Sequence, residues 1–128
     1  MIKVKKITYT PANIVAMFAT PQIVLPAPPS GYVNNIMAIS HELVFGTAAY
    51  TGGSFLFYDL LRPGLTIISD GTMLPAGGNM SLPANKASAS TQLIASTTKN
   101  LYVTTDLLCA TGDSPIDAYI VYEVVKIT

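Results

Sequence analysis

What this sequence is short of narrows its function before any motif is read. It has one cysteine, Cys109, so no intramolecular disulfide can form and nothing ties the fold to an oxidising compartment. Cys109 sits in the apolar run Leu107-Leu108-Cys109-Ala110, where a buried, inert thiol is expected. It has one histidine, His41, and no cysteine pair, which leaves no ligand set for zinc. Charge is scarce, at 11% of residues against roughly 25% in average soluble proteins. Seven Lys and Arg balance seven Asp and Glu to a net charge of zero. Direct nucleic-acid binding depends on a one-signed field, so no such partner is expected. Nine prolines and nine glycines interrupt every apolar run before the roughly 20 residues a membrane helix needs, and no membrane partner is expected. The basic start MIKVKK is not followed by the apolar segment of a signal peptide, because Ile14 to Ala19 is fenced by Pro11 and Pro21.

What is present is apolar and strand-like. Half of the 128 residues are hydrophobic, enough for one domain. No window shows a helical apolar period free of Pro, Gly or β-branched clusters, so helix is expected to be essentially absent. Short strands punctuated by Gly and Pro predict an all-β fold, a single antiparallel β-sandwich of Greek-key or jelly-roll type. Its centre is the stretch from Tyr32 to Leu60, read as two long strands joined by a glycine-marked connection. From Met37 the odd positions Met37, Ile39, His41, Leu43 and Phe45 form one apolar row, while Ser40 and Glu42 face away. Gly46 to Gly53 turns the chain, and Ser54 to Leu60 returns with Phe55, Leu56, Phe57 and Tyr58 on both faces.

The flanks follow the same logic. Residues 1–10 read as an N-terminal arm or edge strand and residues 11–128 as the sandwich. Ile2 and Val4 alternate with Lys3 and Lys5, and Lys6 follows. Three of the seven Lys and Arg therefore lie in the first six positions. Ile2, Lys3, Val4, Lys5 and Lys6 are accordingly the expected partner-binding residues, docking as an extended arm. Thr10 to Asn13 reads as a turn, Ile14 to Ala19 and Gln22 to Leu25 as short strands, and Pro26 to Gly31 as a stiff connector. Asp70-Gly71 signals a hairpin after the strand Leu65 to Ser69. In the last strand, Asp117 to Ile127, Ala118, Ile120, Tyr122 and Val124 line one face and Tyr119, Val121, Val125 and Ile127 the other. A strand apolar on both faces is covered on both. The expected outer cover is another copy of the chain, with Phe55, Phe57, Tyr119, Val121 and Val125 as its interface.

Chemistry is poorly represented. His41 and Glu42 are strand neighbours and point to opposite sides. No Gly-x-Ser-x-Gly elbow exists. The carboxylates Asp59, Asp70, Asp106, Asp113, Asp117 and Glu123 lie mostly in or beside turns, where Asp hydrogen-bonds locally. Asp106, Asp113 and Asp117 flank one loop and are the candidates for a hard cation. Tyr50, Tyr58, Asp59 and Arg62 are the residues a glycan site would draw on. No enzyme activity and no cofactor are expected.

One resemblance gives these features a setting. Ile23 to Val33, Phe45 to Ser54 with its Gly-Thr-Ala-Ala-Tyr-Thr-Gly-Gly turn, and Ala118 to Val125 together resemble a family of small tailed-bacteriophage virion proteins. The likeness spans roughly Gln22 to Ile127, and Pro28-Pro29-Ser30-Gly31 departs from the family's single Pro with two glycines. It implies a structural component located in the virion, an auxiliary or decorating capsid protein that binds the major capsid protein and stabilises the shell. The alternative it implies is a fibre-head or tail-associated module binding host surface glycan. It also implies a homo-oligomer, with a trimer favoured, and transfers no catalytic residues.

Overall fold

Two long alternating segments make the centre of the larger sheet. In the computed structural model, β3 (Tyr32–Leu43) and β9 (Ile116–Lys126) pair antiparallel from Tyr32 opposite Lys126 to Leu43 opposite Ile116. The structure describes residues 1–53, 56–60, 66–71, 73–83 and 95–128, and only the backbone of residues 70, 82 and 83. On the far side of β9 lies β1 (Ile2–Tyr9), paired residue by residue from Ile2 opposite Glu123 to Tyr9 opposite Ile116. The other edge of β3 carries β6 (Met80–Pro83) and β7 (Ala95–Thr97). The smaller sheet runs in the order β2 (Gln22–Leu25), β8 (Leu101–Thr105), β4 (Leu56–Asp59), β5 (Thr66–Asp70). Counted inward from the two chain ends, β1 pairs β9, β2 pairs β8, β3 pairs β6 and β7, and β4 pairs β5. All pairs are antiparallel, and the two sheets pack face to face as an all-β sandwich.

The core lies between them. Tyr9, Ile36, Ile39, Leu43, Ile116, Ala118 and Ile120 of the larger sheet meet Leu56, Tyr58, Ile68, Leu101 and Val103 of the smaller one, all buried. Each Ile, Leu or Val among them contributes about 1.5–3 kcal/mol by leaving water.

Several local expectations are corrected. Residues 11–16 form a helix, α1 (Pro11–Ala16), where a turn and a strand were expected. Thr10 is its N-cap, Pro11 occupies the first turn, and Asn13 closes a capping box with Thr10. Thr followed by Pro is a helix start as much as a turn. Ile14 and Met17, three apart, are fully buried while Val15 and Phe18 are exposed, the spacing of a helical face rather than a strand. In β3 a register shift between Ile36 and Ala38 leaves Met37 as an extra residue. The buried row therefore runs Asn34, Ile36, then Ile39, His41, Leu43, and Met37 is not part of it. The glycine-marked connection does not make a hairpin, because β3 and β4 belong to different sheets. The same holds for Asp70-Gly71, since β5 and β6 are in different sheets.

Candidate functional site

The surface that stands out is the outward face of the larger sheet. Register sets Val4, Val121 and Ala38 in one row across β1, β9 and β3. Lys6, Tyr119 and Ser40 form the next row, and Ile2, Glu123 and Asn35 the one on the other side. Val125 opposite Val33 continues the face. Val4 is 65% exposed and Ile2 56%, whereas Tyr119, Val121, Val125 and Val33 are half-buried. A polar group borders this patch: Asp117 accepts from the Thr8 hydroxyl at 2.6 Å and lies 3.7 Å from the Lys6 ammonium. Lys6 in turn stands 5.8 Å from the centre of the Tyr119 ring, within cation–π range.

The residues expected to form an oligomer interface do not share one surface. Tyr119, Val121 and Val125 are together on this face. Phe57, opposite Thr104 and Ser69, points out of the smaller sheet on the other side of the sandwich. Phe55 lies outside the described residues. The lysine-rich start is not an arm standing off the domain. Eight consecutive pairings hold it on β9, and Tyr9 at its end is fully buried. Ile2 and Val4 lie on the outward face, while Lys3 and Lys5, opposite Tyr122 and Ile120, lie on the other.

Several titratable groups are occupied by structure. Inside the core the Tyr58 hydroxyl meets the Tyr9 hydroxyl at 3.0 Å and His41 Nε2 at 2.5 Å, with the His41 and Tyr58 rings stacked at 5.6 Å. His41 thus faces the core as expected, where it meets a tyrosine hydroxyl from the opposite sheet. Burial raises the Tyr9 phenol well above its ordinary value, and the bond to Tyr58 opposes this only in part. Asp59 accepts from the Thr66 hydroxyl at 2.7 Å. Among the described residues no three His, Cys, Asp or Glu side chains gather to hold a metal. Asp113 and Asp117 in particular are engaged at different places. Nor do the glycan candidates converge. Tyr50 and Tyr58 are buried, Asp59 points away from Tyr58 along the same strand, and Arg62 lies outside the described residues. An open depression of about 220 Å³ between β3 and β6 is lined by Glu42, Leu43, Val44, Asn79, Met80 and Ser81.

The Gly46 to Gly53 segment has a structural task that the sequence reading missed. It is clasped to the β8–β9 loop. The Asp113 carboxylate accepts the Thr47 N–H at 2.8 Å, the Thr47 hydroxyl, and the Ala48 N–H at 3.1 Å. These donors hold the Asp113 carboxyl below its ordinary value. Thr51 and Ala110 exchange backbone bonds at 3.0 and 2.7 Å, and the Tyr50 hydroxyl donates to Ser114 O at 2.6 Å. Burial, helped by the neighbouring Asp113 carboxylate and Cys109, pushes the Tyr50 phenol up to about 12. Gly112 has φ +103°, and a Cβ there would lie 2.4 Å from the Tyr50 ring. Only glycine meets both demands. Cys109 is buried beside the clasp, and desolvation raises its thiol. The signal available in the sequence was the Asp113-Ser114-Pro115 turn, whose side chains bond to a segment about 65 residues away. Pairing at that distance is invisible to local pattern.

Compared with known proteins, the chain matches no family model, no curated protein and no solved structure. Among the described residues no helix is long and apolar enough to cross a membrane.

Proposed function

We propose that this protein is a structural, non-catalytic component of a tailed-bacteriophage virion. In this reading it is an auxiliary or decorating capsid protein that works as a homo-oligomer, a trimer, against the major capsid protein. The observation that carries the reading is the outward face around β9. Tyr119, Val121 and Val125 stand half-buried there beside exposed Ile2 and Val4, in a chain with almost no surface charge to spare. Apolar area of this kind is worth about 25 cal/mol per Å² when covered, less the cost of ordering the partners. The sandwich is read as a jelly roll. In support, the strands pair inward from the two chain ends, as a long hairpin rolled into two sheets would. The resemblance of residues 22–127 to small virion proteins supports the same setting.

Two measurements test this. Mass spectrometry of purified particles should find the chain at a copy number set by the shell's symmetry, and imaging should place it on the capsid surface. Its absence from particles defeats the proposal. Light scattering of the isolated protein at micromolar concentration should give the mass of three chains. A monomer that stays monomeric up to millimolar concentration defeats the oligomer.

A further inference from the structure

We propose that the open edge of β1 is a strand-addition site for an extended segment of another protein that alternates apolar and acidic residues. The sandwich protects its other edges in ways that β1 does not share. Edge strand β2 has four residues, sits between Pro21 and Pro26, and shifts register between Ile23 and Leu25. Edge strand β5 pairs β4 with a register shift between Tyr58 and Asp59. On the far side of β3, β6 ends at Pro83 and β7 has three residues. Short, bulged and proline-terminated edges resist further pairing. By contrast β1 runs eight residues in unbroken register, with no proline, glycine or bulge. In an antiparallel ladder alternate residues turn their N–H and C=O groups to one neighbour and the rest to the other. Half of the β1 backbone groups therefore face away from β9, and no described residue pairs with them.

Charge selects the occupant. Lys6 is already engaged by Asp117, whereas Lys3 and Lys5 form no ion pair among the described residues. Antiparallel pairing with a second copy about the middle of β1 would bring lysine against lysine, and like charges directly opposite are destabilising. The lysines thus exclude the chain itself while admitting a carboxylate-bearing strand. Strand geometry fixes the pattern further. Lys3 and Lys5 point to one face and Ile2 and Val4 to the other, so an added strand meets its cross-strand neighbours about 4.5–5.5 Å away as carboxylate and apolar side chain in alternation. Main-chain bonds supply the affinity and the alternation supplies the choice of partner.

The inference rests on the sheet topology and stands apart from the virion reading. The test is hydrogen exchange on the purified chain with a synthetic peptide as long as β1 that alternates Val and Glu, beside a Val/Lys control. The Val/Glu peptide should slow exchange of alternate amides within residues 2–9 and bind about tenfold more tightly than the control, the scale of two rim charge pairs. Lys3→Glu with Lys5→Glu should reverse that preference, and Lys3→Ser with Lys5→Ser, which spares the fold if the reversed charges do not, should abolish it. Binding without protection of residues 2–9, equal binding of the two peptides, or protection of residues 2–9 by the protein's own concentration overturns the proposal.

Discussion

The two faces of β9 carry similar side chains and meet opposite surroundings. Inward, Ile116, Ala118 and Ile120 are fully buried against the smaller sheet. Outward, Tyr119, Val121 and Val125 keep part of their surface in water, in a row that also carries Asp117 and Glu123. Alternation along a strand reports only that two faces exist. Which face is covered depends on other strands of the chain, since β4, β5 and β8 supply the inner cover. The comparison therefore separates residues that hold the domain together from residues free to hold something else.

The inner face should be the costlier to damage. Ile120→Ala removes a fully buried side chain and should lower stability by about 2–5 kcal/mol, read as a shift of the denaturant midpoint at unchanged slope. A loss under about 0.5 kcal/mol, the usual surface value, would erase the distinction between the faces.

The polar centre of that inner side comes next. Tyr58→Phe deprives both His41 and the Tyr9 hydroxyl of the bond that joins the sheets, at an expected cost of about 1–3 kcal/mol in the same measurement. Alkaline pH probes the same burial. The raised phenols of Tyr9 and Tyr50 bind their protons more tightly folded than unfolded. Their contribution is full below about pH 10, the unfolded tyrosine value, and is lost as pH rises above it. A thermal midpoint independent of pH between 9 and 12 would contradict this.

The outer face should answer differently. Val121→Lys should change folding stability by less than about 0.5 kcal/mol while removing self-association in light scattering. If association survives, the outward face of β9 is not the interface. Weakest of all should be the exposed clasp at the loop end. The lowered carboxyl of Asp113 stabilises the fold fully above the unfolded carboxylate value of about 3.9, and this is lost as pH falls below it. Asp113→Asn should flatten the acid limb of the stability profile and leave the neutral region little changed. An unaltered acid limb would show that the clasp contributes nothing.

The sequence by itself determined the all-β class, the strands at residues 2–9 and 22–25, a long strand in the stretch from Tyr32, a last strand read as Asp117 to Ile127, and the core-facing row of Ile39, His41 and Leu43. Each of these depends on side-chain alternation, a property of neighbouring residues. Only the tertiary structure decided what depends on distant pairing. A bulge at Met37 switched the phase of β3. Thr10-Pro11 opened a helix because Ile14 and Met17 had a core to enter, and the expected hairpins at Gly46–Gly53 and Asp70-Gly71 became crossings between sheets. Phe57 was separated from Tyr119 and Val121 by the full thickness of the sandwich, and Asp113 was drawn from a possible cation site into the clasp on Thr47. Turn residues mark where a chain reverses, but the sheet it then joins is set by which apolar faces can be buried together.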